Sequence, residues 1–319
     1  MATIKANYQV DSFGIDLNFY RRWFYDHVLL DNEYHSFNGR TYQDIYAING
    51  YDGDADLVIS FGGSGIGFDA WGNVNRGTIT GLVESVYDGA DIWWAQDFSV
   101  SAVSIYRAGL TYGNADDRAV LALAMAGNDT VNLSAHDDRF EGWAGNDRMW
   151  GHGGADTLIG GTGNDTMNGG SGHDRLTGGD GQDHLAGKTG NDTLDSGRGG
   201  DTLDGGSGRD RMIGGADAVR DVFIFRAAAE TAVGAQRDSI LHFRAGQDDI
   251  DLSLIDAHMA RGGNQAFSFA GTAAAPHSVW YVKQAGGVLV RGDTNGNKTA
   301  DFEIWVDDAT RLGATDFLL

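Results

Sequence analysis

The chain has 319 residues, with 45 Asp and Glu against 23 Lys and Arg, a formal net charge of −22 and no cysteine. That balance argues against nucleic acid or an anionic membrane surface as a partner and favours cations, and it excludes disulfides and thiolate-held metals as the staple of the fold. No run of about 18 apolar residues is present to span a bilayer, and the opening MATIKANYQV lacks the basic and apolar blocks of a cleaved leader, so neither Sec export nor membrane insertion is expected.

Residues 1–123 are expected to form a β-rich first domain. Most of the aromatic side chains fall here, among them Tyr8, Phe19, Tyr20, Trp23, Phe24, Tyr25, Trp71, Trp93 and Trp94. DLVISF, GTITGLVESV and FSVSAVSIY alternate or cluster β-branched and aromatic residues between Gly, Asn and Asp, which predicts antiparallel strands. LNFYRRWFYDHVLL, residues 17–30, admits an amphipathic helix. GGSGIG at 62–67 lacks the in-phase glycine of a G-x-S-x-G nucleophile elbow and is expected as a turn between strands. His27, Asp31, Glu33 and His35, and then Asp52, Asp54 and Asp56, are residue types that metal or acid–base chemistry uses. Neither spacing demands such chemistry, solvated loops account for both, and no catalytic residue is assigned. In a strand Trp93 and Trp94 point to opposite faces, so one can be buried while the other offers its ring to a sugar's apolar C–H face.

From Asp129 the acidity becomes periodic. Steps of nine residues lead through Asp138, Asp147, Asp156, Asp165, Asp174, Asp183, Asp192 and Asp201 to Asp210, and two residues after each stands an apolar residue, from Val131 and Phe140 to Leu203 and Met212. The unit is G-G-x-G-x-D-x-U-x, with U apolar. It is complete in its glycines from Gly160, Gly169, Gly178 and Gly205, partial from Gly142, Gly151, Gly187 and Ser196, and decayed in LSAHDDRFE. Glycine permits positive φ and close packing of successive turns, while x-U-x makes a short strand with its central side chain inward. Two units make one coil of a parallel β-roll, and a coil buries its apolar residue only by stacking on its neighbours. A disordered Gly/Asp linker would need neither a fixed period nor an apolar residue at one phase of it.

Stacking brings the aspartates of successive coils together, where they repel unless a hard cation lies between turns and takes oxygens from carboxylates and glycine-rich backbone. Calcium accepts six to eight oxygens at flexible geometry, which magnesium does not. The ligand set expected over residues 124–219 is Asp147, Gly151, Gly153, Asp156, Gly160, Thr162, Asp165, Gly169, Ser171, Asp174, Gly178, Asp180, Asp183, Gly187, Thr189, Asp192, Asp201, Gly205, Ser207 and Asp210. Sharing ions between turns gives roughly six to eight calcium ions, and folding should depend on them. The repeat resembles the RTX calcium-binding nonapeptide.

Residues 220–319 are expected to cap the roll. GGADAVRDVFIF breaks the nine-residue register and turns into a longer, more apolar strand. DVFIF, RDSILHFRAGQDDIDLSLIDA, AFSFAG, VLVRGDTNGNKTADFEIWV and the terminal ATDFLL resemble the C-terminal region of serralysin-type metalloproteases. The resemblance implies a β-sandwich that continues the roll and carries an uncleaved signal for a type I, ABC-transporter export system, with Asp316, Phe317, Leu318 and Leu319 as its acid-then-apolar end. The zinc helix of those proteases, H-E-x-x-H, occurs nowhere among the nine histidines. Asp293, Asn295, Asn297 and Asp301 start like an EF-hand loop, but Lys298 and Ile304 stand where that loop needs glycine and glutamate. A turn is expected there.

The class is thus all-β throughout: an aromatic domain, a parallel β-roll and a sandwich-like cap. The leading functional expectation is an extracellular, calcium-folded binding or surface-associated protein, of adhesin or matrix type, with calcium and the type I secretion machinery as partners and carbohydrate or self-association as further ones. Two alternatives stand beside it: a secreted polysaccharide-active enzyme with a small N-terminal catalytic domain, and a self-assembling surface-layer protein.

Overall fold

The computed structural model describes residues 122–123 and 125–319 in full and, before them, the backbone of strands lying between residues 3 and 101. The chain divides into two compact units, Met1–Arg148 and Met149–Leu319. The described residues are nearly all β.

In the first unit the strands are β1 (Thr3–Ala6), β2 (Asp26–Leu30), β3 (His35–Phe37), β4 (Arg40–Tyr42), β5 (Asp44–Tyr51), β6 (Asp56–Phe68), β7 (Val74–Val86), β8 (Asp91–Ser101), β9 (Thr130–Asn132) and β10 (Arg139–Glu141). Its main sheet runs β2-β5-β6-β7-β8-β1-β9. The expected antiparallel strands are there, since DLVISF lies in β6, GTITGLVESV in β7 and the start of FSVSAVSIY in β8. Two expectations are corrected. The end of the segment that admits a helix is strand β2, paired antiparallel with β5 from Asp26↔Asn49 to Leu30↔Ile45; the Val28-Leu29-Leu30 run gains more from a sheet neighbour than from local helix propensity. GGSGIG is not a turn but the middle of the 13-residue β6. Its glycines accommodate register shifts against β7 at Gly62/Gly63 and Ser64/Gly67, so the strand bulges instead of reversing. Strand β1 lies between β8, antiparallel, and β9, parallel, with Ile4 opposite Val131, the first apolar residue of the nine-residue beat.

The second unit holds β11 (Arg148–Trp150), β12 (Thr157–Thr162), β13 (Thr166–Ser171), β14 (Arg175–Asp180), β15 (His184–Thr189), β16 (Thr193–Arg198), β17 (Thr202–Ser207), β18 (Arg211–Ile213), β19 (Val222–Ile224), β20 (Asp238–Leu241), β21 (Asp249–Asp251), β22 (Ser268–Phe269), β23 (Ser278–Gln284), β24 (Gly287–Gly292), β25 (Phe302–Asp307) and β26 (Phe317–Leu318). Odd and even nonapeptides separate into two sheets, ordered β11-β13-β15-β17-β19-β21-β26 and β12-β14-β16-β18-β20-β25-β24-β23-β22. Along each, parallel partners lie 18 residues apart: Leu158↔Leu176↔Leu194↔Met212 in one sheet and Met167↔Leu185↔Leu203 in the other. All seven of these side chains have no exposed surface, each burial contributing about 1.5–3 kcal/mol. The core is therefore two apolar stacks back to back, one residue per half-coil.

Past Met212 the coils continue with longer inserts. Strand β19 places Phe223 on Leu203, β20 places Ile240 on Met212, and β21 places Ile250 on Phe223. The expected longer strand at DVFIF is only three residues, Val222–Ile224, paired with the Thr202–Asp204 half of β17. The antiparallel run β23-β24-β25 then joins the second sheet through β20, and β26 closes the first by lying parallel to β21. Phe317 of β26 is buried against Phe269, with ring centroids 5.3 Å apart.

The second residue of each unit sits at positive φ, from 86° to 116° at Gly161, Gly170, Gly179, Gly197 and Gly206, and at 81° where Lys188 replaces glycine. An L side chain in that region costs about 1–2 kcal/mol, partly offset by the freer unfolded chain of glycine. Lys188→Gly is expected to raise stability by about 0.5–1 kcal/mol, read as a higher denaturant midpoint in calcium.

Candidate metal centre

The nine-residue beat puts its aspartates in two buried rows, Asp156, Asp174, Asp192 and Asp210 on one side and Asp165, Asp183 and Asp201 on the other, each no more than 3% exposed. From Asp174 to Asp210 one carboxylate oxygen, Oδ1, has the same task at each rung: it accepts the backbone N–H of the aspartate one coil back. Asp174 takes that of Asp156, Asp183 that of Asp165, Asp192 that of Asp174 and Asp201 that of Asp183, at 2.8–2.9 Å. Asp147 and Asp129 repeat the bond at 2.7 Å in the first unit.

Three rungs complete the ladder without belonging to the nine-residue count. Asp221 accepts the N–H of Asp201, Asp238 that of Asp210, and Asp248 that of Asp221, across separations of 20, 28 and 27 residues. The count of nine misses them because loops are inserted between coils. The signal that finds them is the local D-x-U triplet, present as Asp221-Val222-Phe223, Asp238-Ser239-Ile240 and Asp248-Asp249-Ile250.

The second oxygen is the unusual one. Oδ2 of Asp183, Asp192 and Asp210 is buried and has no hydrogen-bond donor. It lies over the first glycine of its own unit: a Cβ built on Gly178, Gly187 or Gly205 would collide with it, and at Gly178 and Gly187 would also meet the carbonyl oxygen of Ser196 or Gly205 on the next coil. The same crowding by a carboxylate occurs at Gly151, Gly160 and Gly169. A buried acceptor without a donor is costly, and it is satisfied by a proton or by a cation. Burial is what raises the carboxyls of Asp183 and Asp192 to about 7 and that of Asp210 to about 6, against the lowering effect of the N–H groups each accepts and with neighbouring carboxylates adding to the rise. Burial likewise raises Asp201, Asp221 to about 6 and Asp238 to about 8.

Among the described residues no three His, Asp or Glu converge where they could hold an ion. Carboxylate oxygens and backbone carbonyls without imidazole or thiolate are a donor set that fits calcium and not zinc. The third-position residues of the expected ligand set that carry a side chain end their strands at the surface. Thr162, Ser171, Asp180, Thr189 and Ser207 are exposed; Ser171 and Thr189 donate to the carbonyls of His152 and Gly170 at 3.4 Å, and Asp180 lies 4.0 Å from Arg198. The backbone carbonyls of Asp180, Thr189 and Ser207 accept the N–H groups of Gly163, Gly172 and Gly190 on the preceding coil.

The EF-hand-like loop is the expected turn. Asp293 accepts the N–H groups of Asn295, Gly296 and Lys298, and Asp301 accepts those of Thr294 and the Asn295 amide, so the loop's own donors use its carboxylates. Burial would raise the Asp293 carboxyl, but the backbone N–H groups of Lys298, Gly296, Asn295 and His277 prevail and hold it below the ordinary range. Of the N-terminal candidates, Asp31, Glu33, Asp52 and Asp54 lie outside the described residues, as do Tyr8, Phe19, Tyr20, Trp23, Phe24, Tyr25 and Trp71. His27, His35, Asp56, Trp93 and Trp94 are described by their strand backbone alone.

The family model for the RTX calcium-binding nonapeptide repeat (4 copies) matches residues 123–149, 150–185 and 186–218. Similar solved structures include two subunits of the mannuronan C5-epimerase of Azotobacter vinelandii. AlgE6R2 is 25% identical over 47% of this chain and 90% of its own, with a TM-score of 0.33, and AlgE6R3 is 27% identical over 50% and 80%, with a TM-score of 0.26. The extracellular lipase LipA of Serratia marcescens is 14% identical over 60% of this chain and 40% of its own, with a TM-score of 0.25. No curated protein matches the chain. By the phase of its aspartates, the burial of its apolar rungs and this family match, the segment from residue 123 to 218 is a β-roll of RTX calcium-binding nonapeptide repeats.

Proposed function

We propose that the protein works outside the cell as a calcium-folded binding or surface-associated protein, of adhesin or matrix type. It would be exported through a type I system while calcium-poor and unfolded, with residues 220–319 as the region that system reads and residues 1–123 as a separate β-rich domain. The observation that carries this reading is the row of buried, donorless carboxylate oxygens at Asp183, Asp192 and Asp210. Such a row is unstable when ionised and stable when a divalent cation neutralises it, so the fold follows the calcium concentration of its surroundings. The ligands would be the aspartates from Asp147 to Asp210, joined by first- and third-position carbonyls of the glycine loops. Roughly six to eight ions would fill the shared sites. Among the described residues no helix is long and apolar enough to cross a membrane.

Asp192→Asn tests this at one rung. The amide keeps an oxygen for the Asp174 N–H but removes the charge. The variant is expected to be more resistant to denaturant than the parent in chelator at pH 8 and less resistant in millimolar calcium. Equal stability of the two proteins in both buffers would refute the assignment.

A further inference from the structure

A cleft of about 320 Å³ opens beside the second sheet, lined by Arg209, Arg237, the ladder residue Asp238, Ser239, Gln284 and Trp305 among others. In β25 the side chains of Phe302, Ile304 and Val306 are fully buried, so alternation turns Glu303, Trp305 and Asp307 to the opposite face. Trp305 is flanked in register by Ser239 of β20 and Leu289 of β24. Its indole reaches over Gly287, where a Cβ would stand 2.8 Å from the ring. Gly287 therefore gives the ring its room.

The acids around the cleft are already engaged. Glu303 is held by Arg237 at 2.7 Å and by Arg291 at 2.9 Å, Asp307 accepts the indole N–H at 3.3 Å, and Asp238 holds the N–H of Asp210 at 2.7 Å. Arg209 is exposed and makes no ion pair among the described residues. A chain of net charge −22 thus presents an unneutralised guanidinium beside an aromatic ring, a hydroxyl and an amide. An indole stacks on the C–H face of a sugar ring, Ser239, whose hydroxyl donates to the Asp210 carbonyl at 3.3 Å, can accept from a sugar hydroxyl, Gln284 can bond another, and a guanidinium takes a carboxylate in a two-pronged grip. The volume is at the small end for ligand clefts and suits one or two rings.

We infer that this cleft binds a uronate, a sugar ring bearing a carboxylate, between Trp305 and Arg209. The inference deepens the binding role proposed above and rests on the roll and cap being folded in calcium. The test is calorimetric titration of the intact protein, in fixed millimolar calcium, with trigalacturonate, with neutral trigalactose and with a short glutamate-rich peptide. Parallel circular dichroism reports the calcium-dependent fold.

Trigalacturonate should bind, with trigalactose and the peptide at least about tenfold weaker, and Arg209→Ala and Trp305→Leu should each weaken it about tenfold. Arg209 is exposed, so its variant should keep the parent's calcium response in circular dichroism. Equal affinity for the acidic and neutral sugars, equal affinity for the peptide, an Arg209→Ala protein that binds as well as the parent, or no binding by protein with a full calcium response would each overturn the inference. Uronate binding by protein that shows no calcium response would overturn the folding proposal and leave the cleft standing.

Discussion

Removal of calcium at pH 8 is expected to abolish most of the β-sheet signal of the roll, and its return to restore it. The reason is electrostatic. Burial holds the carboxyls of Asp183, Asp192, Asp210, Asp221 and Asp238 up at about 6 to 8, whereas in the unfolded chain they titrate near the ordinary 3.8. Between those values the folded chain binds more protons than the unfolded one, so acid favours folding. The stability these groups contribute is complete below about pH 4 and is lost as pH rises through about 6 to 8. The calcium-free protein should therefore gain β signal between pH 8 and pH 5, the reverse of ordinary acid denaturation, while the calcium-loaded protein stays folded at pH 8. Circular dichroism in chelator and in calcium, at steps of pH, decides it. A calcium-free roll fully folded at pH 8 would contradict the role assigned to the buried oxygens.

Gly190→Ala is expected to be the most damaging single substitution in the roll, lowering stability by about 3–5 kcal/mol even in calcium. Gly190 has φ 146°, and the Cβ of an alanine there would overlap the carbonyl oxygen of Gly172 on the coil before it. Neither can yield easily. Gly172 N–H is bonded to Thr189 O and Gly190 N–H to Ser207 O, both at 2.9 Å, so moving one coil breaks bonds to the next. Guanidinium melts of the variant and the parent in saturating calcium give the difference. A loss under about 1 kcal/mol would mean that coil spacing is softer than the contacts imply.

The roll was legible because each structural demand falls on a fixed phase of nine: the apolar residue that must face inward, the aspartate that must hold a neighbouring N–H, the glycine that must bend. Leu176 and Leu194 could be placed in one stack from spacing alone, and the fully buried side chains agree. Asp238 and Asp248 could not, since a loop of any length can separate two coils without altering the contacts between them. At the third position of the unit Ser171 and Thr189 end their strands exposed, and phase alone does not tell whether the side chain or the backbone of such a residue would meet an ion. GGSGIG misled because glycine serves a bulged strand as well as a turn, and only the partner strand decides which.

The rungs of the ladder all point one way. Each N–H of an aspartate is held by a carboxylate 18 residues further on, so every coil depends on its successor and none on its predecessor for that bond. Under mechanical load this makes the roll a zip with a direction. Tension applied from the side of Asp156 should peel off one coil at a time, each freeing 18 residues, about 60 Å of extended chain, while the coils nearer Asp210 keep their acceptors until they are reached in turn.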